Sequence, residues 1–291
     1  MENPYEHARK SPPIKIPPHP NFLKDVFDNW AADPKLEALF WVSADKPKPQ
    51  IRHLTYQHLA EQSHRVACVL QKLGLRKGDR VLIMLPRIPE WWELVLGMMR
   101  MGVILVPATM LLVSKDIEYR LEACGARAFI GTVDSASHFL KCRKVPPCLE
   151  FTILVEDYYN KTPLPESKFN WLSYLDLIAS VPQNARWQSS EKFSADDACI
   201  IYFTSGTTGM PKMVQHSQTS YPFGHILTGK YWLKLSPGKI YWNISEQGWA
   251  KAAYSFLSTF VPSSSKATLI SRIAALRYLS QILEDHFRLR I

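Results

Sequence analysis

Nine consecutive residues, Thr204-Ser205-Gly206-Thr207-Thr208-Gly209-Met210-Pro211-Lys212, crowd hydroxyls, glycines and one lysine behind the apolar stretch Ala198-Cys199-Ile200-Ile201-Tyr202-Phe203. The apolar stretch predicts a buried strand. Ser205, Thr207 and Thr208 can donate hydrogen bonds, while Gly206 and Gly209 permit a tight turn whose N–H groups approach an anion. Lys212 adds a compact positive charge, and Pro211 stiffens the exit. This is chemistry for holding phosphate, although a plain turn after a strand uses the same residue types. The Walker pattern is excluded, because too few residues separate the glycines and no Lys-Ser/Thr pair follows the second one.

The full string resembles, residue for residue, the phosphate-binding signature of the adenylate-forming enzymes: acyl-CoA synthetases, luciferases and the adenylation domains of peptide synthetases. Other segments are similar to the medium-chain acyl-CoA synthetase branch. They are Leu85-Pro86-Arg87-Ile88-Pro89-Glu90-Trp91-Trp92, Val106-Pro107-Ala108-Thr109, Ile117-Glu118-Tyr119-Arg120-Leu121, Lys212-Met213 with His216-Ser217, and Trp242-Asn243-Ile244-Ser245-Glu246-Gln247-Gly248-Trp249-Ala250-Lys251. Together they span roughly residues 20 to 260.

The resemblance implies an ATP-dependent ligase that joins a medium-chain fatty or aromatic carboxylic acid to coenzyme A through an acyl-adenylate. It implies ATP, Mg²⁺ and coenzyme A as cofactor and co-substrates. Thr204, Ser205, Thr207 and Thr208 would be hydroxyl donors to the β- and γ-phosphates, Gly206 and Gly209 backbone providers, and Lys212 a charge contact. Mg²⁺ would bridge phosphate oxygens, with no protein metal site. Trp249 would wall the acyl pocket or, alternatively, anchor the core. No residue is assigned a covalent catalytic role. Animal relatives work in the mitochondrial matrix, yet no amphipathic presequence is visible here, so the cytoplasm is the alternative.

Two features depart from the family pattern. Relatives commonly carry Asp-Thr or Asp-Ser before the Gly-Trp pair, where this chain has Glu246-Gln247. Beyond about Phe260 the family's Tyr-Gly-x-Thr-Glu type motif, ribose-binding Asp and C-terminal Lys are not found. Residues 261–291 instead predict an amphipathic helix, with Ile273, Leu276, Leu279, Ile282, Leu283 and Phe287 on one side. The expected organisation is a Pro-rich segment over 1–20, a partial adenylation domain over 21–260 and a non-family tail over 261–291. Impaired chemistry is therefore expected. The alternative is a non-catalytic nucleotide- or phosphate-binding fragment that associates with a full-length relative through an exposed sheet edge.

Composition agrees with a globular chain of 291 residues, 46% hydrophobic and 21% charged. The formal net charge of +9 comes from dispersed basic residues, without the runs or interleaved aromatics of nucleic-acid binders, so no nucleic-acid partner is expected. The five cysteines form no Cys-x-x-Cys pair and read as free thiols. The apolar window Trp91 to Val113 contains Glu93, Arg100 and Pro107, which argues against a membrane span.

The elements that must position the phosphate loop alternate. Helices are expected over 22–31 and 55–74, a strand over 81–85, then helix 90–101, strand 103–106, helix 114–124, strand 126–131, helix 135–144 and strand 151–155. A short helix over 171–179 leads to strand 198–203, followed by helix 215–232, strand 240–244 and helix 248–258. The pattern predicts an α/β fold, a parallel sheet with helices on both faces and the loop at its carboxyl edge.

Overall fold

The computed structural model describes residues 6, 14–43, 50–156, 162–164, 166–189, 191–205, 209–235, 240–241, 243, 245–258 and 266–270. A seven-stranded sheet in the order β7-β6-β5-β3-β4-β8-β9 organises the chain. Its strands are β3 (Arg80–Met84), β4 (Ile104–Pro107), β5 (Ala128–Gly131), β6 (Phe151–Leu154), β7 (Trp171–Ser173), β8 (Ala198–Thr204) and β9 (Lys212–Ser217). The first six run parallel, as the alternation predicts. β9 is the correction: it pairs antiparallel with β8, Thr204 facing Lys212, so the sheet is mixed.

That hairpin also shortens a predicted helix. Residues 215–217 belong to β9, and helix begins at Pro222. The run Lys212-Met213-Val214-Gln215 carries apolar residues without helical capping ahead of it, and pairing with the buried β8 decides its state. Similarly, Trp171–Ser173 is a strand before the Tyr174–Ala179 helix.

Side chains alternate across each strand. Val81, Ile83 and Leu85 enter one core with the helices Tyr56–Lys72 and Pro89–Met101, while Leu82 and Met84 enter a second core with Ser114–Cys124 and Val133–Phe139. Helices thus cover both faces. The helix Pro89–Met101 is buried along its whole length, including Glu93, which accepts the Tyr174 hydroxyl at 2.8 Å, and Arg100. Arg100 donates to both carboxylate oxygens of Asp28, at 2.9 and 2.6 Å, and to Ser63 at 2.9 Å. The apolar window around it is therefore core, and among the described residues no helix is long and apolar enough to cross a membrane.

A second, four-stranded sheet has the order β10-β11-β1-β2. It consists of β1 (Glu37–Val42), β2 (Ile51–Thr55), β10 (Ile240–Tyr241) and β11 (Lys266–Ile270), and β11 lies parallel to β1. The pairing of β1 with a strand more than 200 residues away has no local sequence signal. The helix expected over 273–287 lies outside the described residues.

Candidate functional site

β4 and β8 are neighbours joined by a single register pair, Leu105 with Ile200. Beyond their C-terminal ends the chain leaves in opposite directions, from β4 back to β5 and from β8 outward to β9. This is a topological switch point, where open α/β sheets form a ligand crevice.

The β8 side carries the predicted phosphate loop. Thr204 and Ser205 are exposed, and the Thr204 hydroxyl donates to the Lys212 carbonyl at 3.4 Å across the hairpin. Gly209 sits at φ +92 with open space where a Cβ would be. Glycine adopts this left-handed backbone without steric cost. Lys212 is exposed. Gly206, Thr207 and Thr208 lie outside the described residues. The loop exit is tied down by the Tyr119 hydroxyl, which donates to the Pro211 carbonyl at 2.7 Å. The Tyr119 ring meets Phe203 edge-on at 6.0 Å, and the Arg120 guanidinium lies 5.1 Å from the Phe203 ring.

On the β4 side, Thr109 donates its hydroxyl to Glu246, and the Met110 N–H donates to the other carboxylate oxygen at 2.6 Å. The extra methylene of Glu246, relative to the family's Asp, thus reaches a two-point anchor. Gly248 seals this contact, since a Cβ there would stand 2.0 Å from the Thr109 nitrogen. The turn closes with the Trp249 N–H on the Glu246 carbonyl at 3.0 Å. The Arg87 carbonyl, in the loop after β3, accepts the Trp41 indole N–H at 2.8 Å. Burial lowers the Arg87 pKa, and the Glu246 charge opposes that shift.

Trp249 is 55% exposed and so lies outside the buried core. Asn243 supports the same loop, donating to the Lys251 carbonyl at 2.6 Å and accepting from the Ser245 N–H at 2.8 Å. An aromatic ladder runs beside it. His216, on β9, packs 4.4 Å from Tyr221, which lies 4.6 Å from His225, which in turn faces Tyr254 at 5.4 Å. The Tyr221 hydroxyl donates to the Ala250 carbonyl at 3.1 Å, and His225 Nδ1 lies 2.9 Å from Ser258 Oγ. Burial pushes the His225 pKa down to about 4 and lowers that of His216.

The fold therefore brings Thr204, Ser205, Gly209 and Lys212 to one strand end and holds Trp249 through a loop anchored to the adjacent strand end. Sequence reasoning assigned no role to Tyr119, Thr109 or Tyr221. The first two lie within the quoted motif segments, whereas Tyr221 carries no signal outside its contacts. The five cysteines are free thiols, with Cys124 and Cys199 buried. Among the described residues no cluster of three His, Cys, Asp or Glu side chains is placed to hold a metal ion.

A doubly covered α/β sheet with a hydroxyl- and glycine-rich loop at its switch point defines the chain as an adenylate-forming type of domain. The AMP-binding enzyme family profile matches residues 26–285, and the chain belongs to that family. Among curated proteins it is 34% identical over 253 residues to mouse (Mus musculus) mitochondrial acyl-coenzyme A synthetase ACSM5, covering 84% of this chain and 41% of that one. It is 37% identical over 245 residues to rat (Rattus norvegicus) mitochondrial acyl-coenzyme A synthetase ACSM4, covering 82% and 40%. These relatives bear out the resemblance to the N-terminal half of the medium-chain acyl-CoA synthetase branch. The chain spans about two fifths of their length.

Among solved structures, an acyl-CoA synthetase of Brucella canis superposes with a TM-score of 0.72 at 23% identity, over 86% of this chain and 43% of that one, and shows the fold. The N-terminal subdomain of Klebsiella oxytoca NpsA, in complex with 3-hydroxybenzoyl-AMSN, has a TM-score of 0.64 at 26% identity. It covers 90% of this chain and 57% of that one.

Proposed function

We propose that this chain is the phosphate- and acid-binding part of an ATP-dependent carboxylic acid:CoA ligase acting on medium-chain fatty or aromatic acids. The observation that carries the reading is the group Thr204, Ser205 and Lys212, exposed around an open, positive-φ Gly209 at the C-terminal end of β8. Hydroxyl donors, backbone N–H groups and one ammonium, without acidic side chains among them, fit the β- and γ-phosphates of ATP. Thr204, Ser205, Gly206, Thr207, Thr208, Gly209 and Lys212 would hold the triphosphate, and Mg²⁺ carried by the nucleotide would supply further charge neutralisation there. Trp249 walls the acid pocket.

The reaction joins two anions. The acid carboxylate attacks the α-phosphate of ATP, an acyl-adenylate forms, and pyrophosphate leaves with its charge held by the loop. The coenzyme A thiol then displaces AMP to give the thioester. Here the loop neutralises charge and orients the leaving group, and Tyr119 fixes the loop exit through Pro211. The site of action in this reading is the mitochondrial matrix, following the names of the relatives.

The Glu246-Gln247 pair, where relatives commonly carry Asp-Thr or Asp-Ser, favours a second reading, a nucleotide- or phosphate-binding chain without the complete reaction. An ATP–pyrophosphate exchange assay with butyrate, hexanoate and benzoate separates the two. Exchange that is lost in Lys212→Ala establishes adenylate formation. A folded sample that binds ATP without exchange establishes the second reading, and absence of ATP binding overturns both.

A further inference from the structure

The nucleotide-facing loops occupy the C-terminal edge of the large sheet. At the opposite edge, where the helix Pro89–Met101 ends, a cleft of about 510 Å³ opens among the His19–Asp28 turn, the Tyr56–Lys72 helix and the segment around Trp187–Phe193.

Its walls are held by specific contacts. His19 Nδ1 donates to the Phe193 carbonyl at 3.0 Å, and Lys77 donates to the Lys192 carbonyl at 3.0 Å. The Trp187 N–H donates to His64 Nδ1 at 3.2 Å. A ring nitrogen that accepts a backbone N–H carries no proton, so the neutral His64 must bear its proton on Nε2. His64 lines the cleft, and Nε2–H is its remaining donor.

The charges at the cleft are unequally engaged. Asp28 is taken up by Arg100 in a two-point pair, which leaves its carboxylate little field to exert on a ligand. Lys24 and Lys192 are exposed on the rim, and among the described residues neither ammonium has an ion-pair partner. Glu191 is the opposing acid. The pKa of His64 is pushed down to about 4, first by burial and then by Arg100, whose influence exceeds that of Asp28. The local field is therefore positive. Trp187 supplies flat apolar surface to the same cleft, and the buried Phe193 is part of its lining.

We propose that this cleft binds a small aromatic monoanion, its ring against Trp187 and its carboxylate or sulfonate answered by Lys24, Lys192 and His64 Nε2–H. A monoanion fits better than a phosphate dianion because, with Asp28 and Arg100 paired, Glu191 leaves only a small positive surplus from Lys24 and Lys192. The aromatic body fits because the Trp187 indole lines the cleft beside the lysines.

The test uses the whole chain and 1-naphthalenesulfonate, which carries the ring and the charge but cannot be adenylated. Calorimetric titration is expected to give one equivalent bound, weakened at least tenfold in Lys24→Gln/Lys192→Gln and in Trp187→Leu, and unchanged in Lys212→Ala. The lysines are exposed, so the double variant folds, and circular dichroism verifies it. Imidazole NMR provides a second readout, in which the His64 pKa rises on binding because an adjacent anion favours the imidazolium. No binding at millimolar ligand, equal affinity for inorganic phosphate, loss of binding in Lys212→Ala, or an unmoved His64 titration would each overturn the proposal.

Discussion

Thr109 donates its hydroxyl to the carboxylate of Glu246, 137 residues further along the chain, and so ties the loop after β4 to the loop that carries Trp249. The Met110 N–H takes the second carboxylate oxygen at 2.6 Å. Both donors are neutral and both bonds are charge-assisted, the stronger class of hydrogen bond. The position of the Trp249 indole thus depends on the C-terminal end of β4 as much as on its own segment.

Removing the carboxylate should loosen this connection. Glu246→Ala is expected to destabilise the fold by roughly 1.5–3 kcal/mol, the usual worth of a hydrogen bond to a charged group. Glu246→Asp should lose less. Urea denaturation checks it, and an alanine variant with an unchanged midpoint would mean the anchor contributes nothing.

Gly248 and Gly224 offer a matched contrast. A Cβ at Gly248 would stand 2.0 Å from the Thr109 nitrogen and 2.4 Å from the Ala108 carbonyl carbon, both backbone atoms that cannot turn away. Gly248→Ala should cost on the order of 3 kcal/mol or more and displace the Trp249 loop. At Gly224, within the Pro222–Leu227 helix, the same Cβ meets nothing within 4 Å. Gly224→Ala should be neutral or stabilising by up to about 1 kcal/mol through helix propensity. Thermal melting of the two variants reads the difference directly.

His225 makes stability depend on pH. Its pKa is pushed down to about 4 by burial, against about 6.5 in an unfolded chain. Between those values the unfolded state binds the extra proton. The contribution is therefore complete above about pH 6.5, declines as pH falls towards 4 and is flat below it, for a total of about 3 kcal/mol. His64, also lowered to about 4, acts with the same sign. His225→Asn should flatten the slope of denaturant midpoint against pH over that interval. A profile as steep as that of the native chain would show that His225 titrates alike in the folded and unfolded states.

Lys212 should be functional without being structural. Its side chain is exposed, so Lys212→Ala is expected to change stability by no more than about 0.5 kcal/mol. Loss of one charge-assisted phosphate contact, at roughly 1.5–3 kcal/mol, should weaken ATP binding about ten- to a hundredfold. Equilibrium binding of ATP in the two proteins measures it.

β9 is the outer strand of the large sheet and exposes Met213 and Val214, a template for pairing with another chain. Self-association is expected at high protein concentration. Val214→Lys should reduce it, as light scattering would detect, while leaving the melting temperature close to that of the native chain. A native chain that stays monomeric at high concentration would contradict this expectation.

Local pattern determined a large part of this molecule. The strands around Val81–Met84 and Ala198–Thr204 and the helices Tyr56–Lys72, Pro89–Met101 and Ser114–Cys124 follow from apolar periodicity and from Gly and Pro punctuation. Each of those signals lies within a dozen or so residues. Other features required the tertiary structure, because their partners are distant in sequence. β9 is a strand only because β8 offers an open edge, and β11 is one only where β1 lies beside it. Tyr221 is a support for the 250–252 turn only because its hydroxyl reaches the Ala250 carbonyl. Likewise Glu246, which as a residue type promises only a displaced charge, becomes an anchor because Thr109 and Met110 meet it. Hydrogen bonds are directional and short-ranged, so which donors face a carboxylate is fixed by packing and not by spacing along the chain.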